Sequence, residues 1–561
     1  MFVYFYLTIA AYYILKTVRN AYFVDRLGAD SIPWVKIAIA LLTGVFVYGY
    51  SRIARKVVLR NLINGSLFFL VAVLMLFWWV FDYQARCIPF LFFMWITLFN
   101  SITVTQFWTF TSDLFDAWEA KRVFGLVGTG GLLGGMSGSY IASNFAAIIS
   151  TRNLLLVASG IVLLCVLIVT YLWQVELTGK RSKSQQQEPH ANGEDSLKRI
   201  TESTFELIGK SRYLFYLMLL VGVTKFATEL TEWQLNKMAE IHVTTGLDGL
   251  TEFFGAVFGG VNTVALIVQI FGTSFFLRKC GGANTLLFLP GGLLIGSLLL
   301  FFFPAIWSIT VLKILDGSLR YSIYQSAKEY VYLPVNRYVR YKIKPFIDMF
   351  IYQFAKGLGG LFVLVINGYI FVRIENVFPG EQTKVLIVSV VVFAALIAWF
   401  VTIHLLRREY PNAVRNFLQM QSGGEDTIEN GAIASRLREL RSAVESSSLP
   451  KPAIREAIEH EIKEYRDVIR ARHLKPGEGP LTEALKEKVL SIFNLLSFIY
   501  KRNDMVNICH YYLTGDEYVR AHAMEMLELT VDIGLRRKII SILDGKHAIA
   551  HIAREAAEAL G

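Results

Sequence analysis

The feature that most constrains this chain is a series of long stretches containing no charged residue. Cys87 to Ser112, Val123 to Thr151, Asn153 to Val175, Phe253 to Leu277, Cys280 to Leu312 and Val385 to Leu406 are uncharged and largely apolar. Each reaches the roughly 20 residues that a helix needs to cross about 30 Å of hydrocarbon. Nearly half of the 56 Lys plus Arg and 45 Asp plus Glu lie from Arg407 onward, leaving the rest clustered between the empty runs. That distribution excludes a soluble string of domains, and the chain reads as an all-α, polytopic membrane protein.

Apolar runs bounded by charge, Gly or Pro predict twelve spans. In the first half they lie at about 2–20, 33–51, 62–81, 88–111, 123–148 and 152–175; in the second, at about 212–233, 252–277, 284–303, 305–325, 345–371 and 384–406. Pro304 splits the longest uncharged run into two of them. The opening MFVYFYLTIAAYY lacks a basic n-region and a small-residue cleavage site, so it reads as a retained first span.

Cations collect in alternate loops: Arg52, Arg55, Lys56 and Arg60; Lys180, Arg181, Lys183, Lys198, Arg199 and Lys210; Arg278 and Lys279; Arg337, Arg340, Lys342 and Lys344. The opposite loops hold scattered Arg26, Arg86, Arg152, Lys237 and Arg373. This asymmetry predicts both termini in the cytoplasm, and it assigns the net charge of +11 to a membrane face rather than to nucleic-acid binding. The polar stretch 176–210 reads as a flexible cytoplasmic linker between six-helix bundles at 1–175 and 211–406. Two such halves are the layout of the major facilitator type of transporter. Cys87, Cys165, Cys280 and Cys509 lie far apart, without disulfide or metal-ligand spacing, and no cofactor is expected.

From Arg407 to the end, 407–561, the composition is that of a soluble helical domain. Val519, Ala523, Met526 and Leu527 share one stripe, and Leu535, Ile539, Ile542 and Leu543 form the next. Gly534 and Gly545 punctuate the pair before a short helix expected from Ala548 to Leu560. The pattern resembles a HEAT-type repeat, with a small helical bundle as the alternative.

The most informative residues are charges within the spans, because each must face a partner or a wet cavity. Lys225, Glu229 and Glu232 share a face of the seventh span; Lys313, Asp316 and Arg320 a face of the tenth; Asp348, Tyr352 and Lys356 a face of the eleventh; Tyr12, Lys16 and Arg19 a face of the first. Snorkelling at span ends competes with a functional role most for Lys16, Lys313 and Glu232, and least for Glu229 and Lys356. The glycines of FGLVGTGGLLGGMSG contain a dinucleotide-like spacing, but no strand precedes them. They fit close approach of transmembrane helices instead. No nucleophile constellation, catalytic group or metal set is expected.

The segments ILKTVRNAYFVDRLGADSIPWVK, DLFDAWEAKRVFGLVGTGG and SLRYSIYQSAKEYVYLPVNRYVRYKIKPFIDMFIYQFAKGLGG together resemble the ATP/ADP translocase family of plastids and intracellular bacteria. More narrowly they resemble its bacterial branch, in which HEAT-like helices follow the transporter; the likeness runs over most of Lys16 to Arg407. The resemblance implies a twelve-helix, major-facilitator-like exchanger with charged residues in its first, fourth, seventh and eleventh spans. It implies that Glu229 and Lys356 retain the family's acid and base, that Arg19 stands where the exchangers have Lys, and that Thr97 stands at the position of the family's Glu.

The expectation is therefore a secondary transporter in a bacterial inner membrane, moving a nucleotide or related anion. Arg19 and Lys356 would attract phosphate or carboxylate groups, Glu229 would neutralise the site or couple a proton, and Tyr12 and Tyr352 would orient or stack on the solute. Loss of the fourth-span carboxylate leaves open a different phosphorylated solute or a lipid. A non-transporting anchor or sensor, with the tail binding a protein partner, is the competing class.

Overall fold

A computed structural model describes the chain apart from residues 55–56, 58, 115–116, 184–203, 336–338, 340–342, 345, 375–379, 422–435, 438–450, 472–482, 515–516 and 544–561. Arg337, Arg340 and Lys342 of the expected basic loop, and the helix expected from Ala548, fall outside the described residues. The described residues are helices and turns with no strand. In hydrocarbon every backbone polar group must be bonded internally, and long apolar runs meet that demand only as helices.

The first half comprises α1 (Phe2–Leu27), α2 (Ile32–Ala54), α3 (Leu59–Val80), α4 (Cys87–Leu114), α5 (Ala117–Ile149) and α6 (Leu154–Lys183). After the short α7 (Thr204–Lys210) come α8 (Arg212–His242), α9 (Gly246–Ile267), α10 (Phe288–Phe302), α11 (Ile306–Leu319), α12 (Tyr352–Val365) and α13 (Glu381–Gln421). All twelve expected stretches are helical. Among the described residues, nine helices alone are long and apolar enough to cross a membrane, and the α1–α2 pair qualifies only as a unit bent by 103°. The 14-residue α11, with Lys313 and Asp316 inside it, is not among them. Within the stretch expected as a linker, helix runs on to Lys183 and resumes at Thr204.

The breaks have local causes. Gly28 takes φ +75°, where a side chain would be strained, and its N–H bonds back to Val24 to end α1. Pro304 separates α10 from α11, and the Ser308 hydroxyl accepts from the Ala305 N–H at 3.3 Å. Four π-helical turns interrupt the second half, at Val268–Gly272, Arg320–Tyr324, Phe346–Ile351 and Ile366–Phe371. Such turns often mark functional positions, because the extra residue re-aims the side chains around it.

Helices α3, α6, α10 and α13 turn large apolar side chains outward, among them Phe68, Trp79, Leu167, Ile295, Phe302 and Ile397, as a lipid-facing layer requires. The halves meet chiefly through α2 on α12 and through α5 and α1 on α9. Glycine permits closest approach within the first half: a Cβ at Gly134 or Gly138 would stand 2.2 Å from the carbonyl oxygen of Tyr6 or Ala10 in α1.

Two compact units divide the chain, Met1–Val331 with Tyr338–Arg407, and Tyr332–Arg337 with Arg408–Gly561. In the second unit α14 (Lys451–Ala471), α15 (Glu483–Ile499), α16 (Arg502–Thr514), α17 (Glu517–Thr530) and α18 (Ile533–Leu543) pack in sequence. The last also packs on the first, through Lys538–Glu459 at 2.6 Å, and Arg455 of α14 pairs with Asp532 beside α18 at 2.6 Å. Among the described residues the first and last of these five helices are therefore in contact.

Candidate functional site

Among the described residues, three clusters of buried charge lie in the membrane region, and the first joins its two halves. In the first, Lys36 of α2 stands 2.8 Å from Glu229 and 3.3 Å from Glu232 of α8. The other Glu229 oxygen has Lys356 of α12 at 3.9 Å. Glu232 also lies within electrostatic reach of Lys313, Lys356 and Lys16. A Cβ at Gly359 would approach the Glu229 side chain to 3.2 Å, so the glycine lets α12 lie close against the acid.

The second cluster belongs to the first half. Arg19, 4% exposed, donates to the Thr97 hydroxyl at 2.8 Å and to the Asn20 side-chain oxygen at 2.8 and 3.1 Å. Its guanidinium lies 4.1 Å from the centre of the Phe93 ring. The Thr97 hydroxyl in turn donates to the Phe93 carbonyl. Every partner is neutral, so Arg19 is held in place while its charge stays available to an anion.

The third cluster surrounds the π-helical turn of α11. Asp316, fully buried, accepts from Lys313 at 3.1 Å and Arg320 at 2.8 Å through one oxygen, leaving the other without a hydrogen bond. Lys225 sits 4.3 Å and Lys356 5.2 Å from the Tyr352 ring centre, placing that ring between two cations. Tyr12 lies within electrostatic reach of Arg19, Glu232 and Tyr352, which joins the clusters into one polar region.

The expected site residues are thus mostly brought together. Arg19 meets Thr97; Glu229 and Glu232 meet Lys356; Tyr352 meets Lys225; Asp316 meets Arg320. Lys16 lies 3.9 Å from the Phe258 ring centre, across the boundary between halves. Asp348 is engaged elsewhere, pairing with Lys328 at 3.1 Å nearer the linker end. Sequence reasoning missed Lys36. Its signal was a lone lysine in an otherwise apolar run one turn into α2, a position that reads equally as an end anchor. No His, Cys, Asp and Glu grouping suited to a metal occurs among the described residues.

A further set of ties crosses the halves at the helix ends away from the linker. Asp30, in the turn after α1, accepts from Lys237 at 3.0 Å, Lys384 at 3.1 Å and Asn367 at 3.0 Å. Glu240 accepts from the Ala29 N–H at 3.0 Å, and Asp248 accepts from the Thr151 N–H at 2.8 Å. Lys237 also reaches Glu381 at 2.6 Å.

Comparison with known proteins agrees with this architecture. Residues 109–327 match the model of the Major Facilitator Superfamily, and residues 303–410 match that of the TLC ATP/ADP transporter. ADP,ATP carrier protein 1 of Chlamydia pneumoniae is 25% identical over 309 residues, which is 49% of this chain and 60% of that protein. ADP,ATP carrier protein 3 of Rickettsia felis is 23% identical over 473 residues, covering 71% of this chain and 91% of its own length. A solved structure of a mutant of the nucleoside transporter NupG superposes with a TM-score of 0.51 over 72% of this chain and 98% of NupG, at 12% identity, a likeness of fold. The chain is an integral, multi-pass membrane protein with a major-facilitator type of fold, and parts of it are similar to the ATP/ADP transporters.

Proposed function

We propose that this protein is a secondary transporter that carries a nucleotide, or a closely related phosphorylated anion, by alternating access through twelve spans. The observation that carries the reading is the convergence of Arg19, Lys36 and Lys356 on a region whose nearest carboxylates, Glu229 and Glu232, come from one half alone. Arg19 has neutral partners only, so a phosphate would give it the counter-charge its own surroundings omit. Lys356 and Glu229, 3.9 Å apart, are close enough to interact and far enough apart for a phosphate oxygen to compete. Tyr352 and Tyr12 offer aromatic faces on which a base could stack.

In this reading the protein lies in a bacterial inner membrane with both termini cytoplasmic, as the basic loops favour. The tail would bind a protein partner. The test is uptake of labelled ATP, ADP and a panel of other phosphorylated solutes into proteoliposomes, comparing wild type with Arg19→Ala and Lys356→Ala. Nucleotide uptake that both variants reduce at least about tenfold would support the reading. Well-folded wild type that moves none of the nucleotides would sink it.

A further inference from the structure

Lys36 differs from the other cations of the polar region in what it stands to lose. It is 5% exposed, and its carboxylate partners, Glu229 and Glu232, both belong to the opposite half. Those glutamates have other cations besides it. Glu229 has Lys356, and Glu232 has Lys313 and Lys356, all carried by the second half. Among the described residues Lys36 forms no ion pair within the first half; its nearest charge-stabilising neighbour there is the Phe93 ring, 5.6 Å from the ammonium. If α2 moves away from α8, the two glutamates keep counter-ions and Lys36 becomes a bare cation at membrane depth.

The position of the pair along the helices gives this asymmetry a direction. Glu232 lies about one and a half turns from Lys237, which joins Asp30 in the set of ties at the helix ends away from the linker. The Lys36 contacts form the inner layer of the closure at that end, and the Asp30 contacts the outer. Opening that end must break both. The outer layer includes partly exposed carboxylates, Asp30 at 37% and Glu381 at 49%, which water can solvate as they part. The inner layer has no such relief, so its separation is unfavourable unless another negative charge takes the place of the glutamates beside Lys36.

We propose that Lys36 is a solute-released latch: an anion bound beside Arg19 and Lys356 takes over Lys36, frees it from Glu229 and Glu232, and so permits the end away from the linker to open. Lys36 is a positioning residue of the conformational cycle as well as a contact for the anion. A carrier latched in this way opens that end only when loaded, so it works as an exchanger and resists net one-way flux. This inference rests on the transport reading above, and it identifies the residue that regulates the same site.

The experiment has two arms. In the first, labelled ATP uptake is compared between proteoliposomes loaded with ADP and vesicles without nucleotide. Wild type should show strong dependence on internal ADP, and Lys36→Gln should reduce the loaded-to-unloaded ratio by about tenfold. In the second, spin labels at Tyr83→Cys and Gln382→Cys, in a background with the four native cysteines replaced, report the separation of the two halves at that end. Without nucleotide, wild type should show one short distance, and Lys36→Gln should gain a longer one that wild type acquires only with ATP. Glu232→Gln, which removes one of the two arms of the latch, should shift both readouts the same way by less and covers the case in which Lys36→Gln does not fold. An unchanged loaded-to-unloaded ratio, or a far-end distance in nucleotide-free Lys36→Gln identical to wild type, overturns the latch. Wild type that moves no nucleotide defeats the substrate reading instead, and the distance arm still decides the latch.

Discussion

The two halves of the membrane region bring different kinds of charge to their shared interior. The first contributes Lys16, Arg19 and Lys36, and pairs none of them with a carboxylate of its own among the described residues. The second is largely self-balanced: Lys313 and Arg320 hold Asp316, Lys328 holds Asp348, and Lys356 lies beside Glu229. A self-balanced half can move as a rigid body without exposing a bare charge. A half whose interior charges here are all cations needs the other half, or a solute, to complete it, and that need can couple binding to movement.

The largest effect expected from this asymmetry is at Glu229. Glu229→Ala removes the closest partner of Lys36, and breaking a buried pair from one side costs about 3–5 kcal/mol. Transport should be lost and the thermal unfolding midpoint in detergent should drop clearly. Adding Lys36→Met to the same chain should recover much of the stability without recovering transport. Failure of that rescue would mean that the pair is not what joins the halves.

Asp316→Asn probes the self-balanced half. Two cations lose their shared carboxylate, and charged hydrogen bonds of this kind contribute about 1.5–3 kcal/mol each. Because all three residues lie on α11 and the π-helical turn that continues it, the loss should add independently to that of a Lys36 substitution in a double-mutant cycle. A coupling above about 0.5 kcal/mol would blur the distinction between the halves.

Gly138→Ala tests whether the first half is rigid enough to carry its cations as a unit. Its Cβ would meet the Ala10 carbonyl at 2.2 Å, and forcing α1 and α5 apart should cost about 1–3 kcal/mol, read as a lower unfolding midpoint. The same overlap displaces the helix that bears Arg19, so ATP uptake should fall with it.

The smallest effect lies in the tail bundle. The Tyr500 hydroxyl donates to Asp532 at 2.6 Å and holds its carboxyl below the ordinary carboxylate range. A depressed carboxylate stabilises the fold fully above its unfolded pKa, and that contribution fades as pH falls through the folded value. Asp532 is 40% exposed and solvent-screened, so Asp532→Asn should cost well under about 1 kcal/mol at neutral pH. It should also flatten the acid side of a plot of unfolding midpoint against pH, measured on the full chain. A fall as large as that of Glu229→Ala would erase the contrast between buried and exposed pairs.

Much of the membrane architecture was legible as hydropathy, since uncharged runs admit little but helix. The ambiguous elements are those where charge and span coincide. Helices α1, α2 and α11 carry interior cations, and those same cations mark the polar path. The tail was harder to read. Amphipathic stripes predict helix pairs, yet they do not say whether the last helix returns to the first, as α18 does on α14. The family resemblance pointed to Arg19, Glu229, Lys356 and Thr97, but it was silent on Lys36, whose importance comes from what stands opposite it.

Chemical type and periodicity set the helices of this protein, its lipid-facing layer and the faces that hold its charges, because burial in hydrocarbon acts on each segment separately. Pairing was settled in three dimensions. Lys36 and Glu229 lie almost two hundred residues apart, and nothing local to either chooses the other. Only the packing of α2 on α12, which itself packs on α8, puts that cation within reach of that acid, because electrostatic attraction in a low-dielectric interior acts through distance in space and not along the chain.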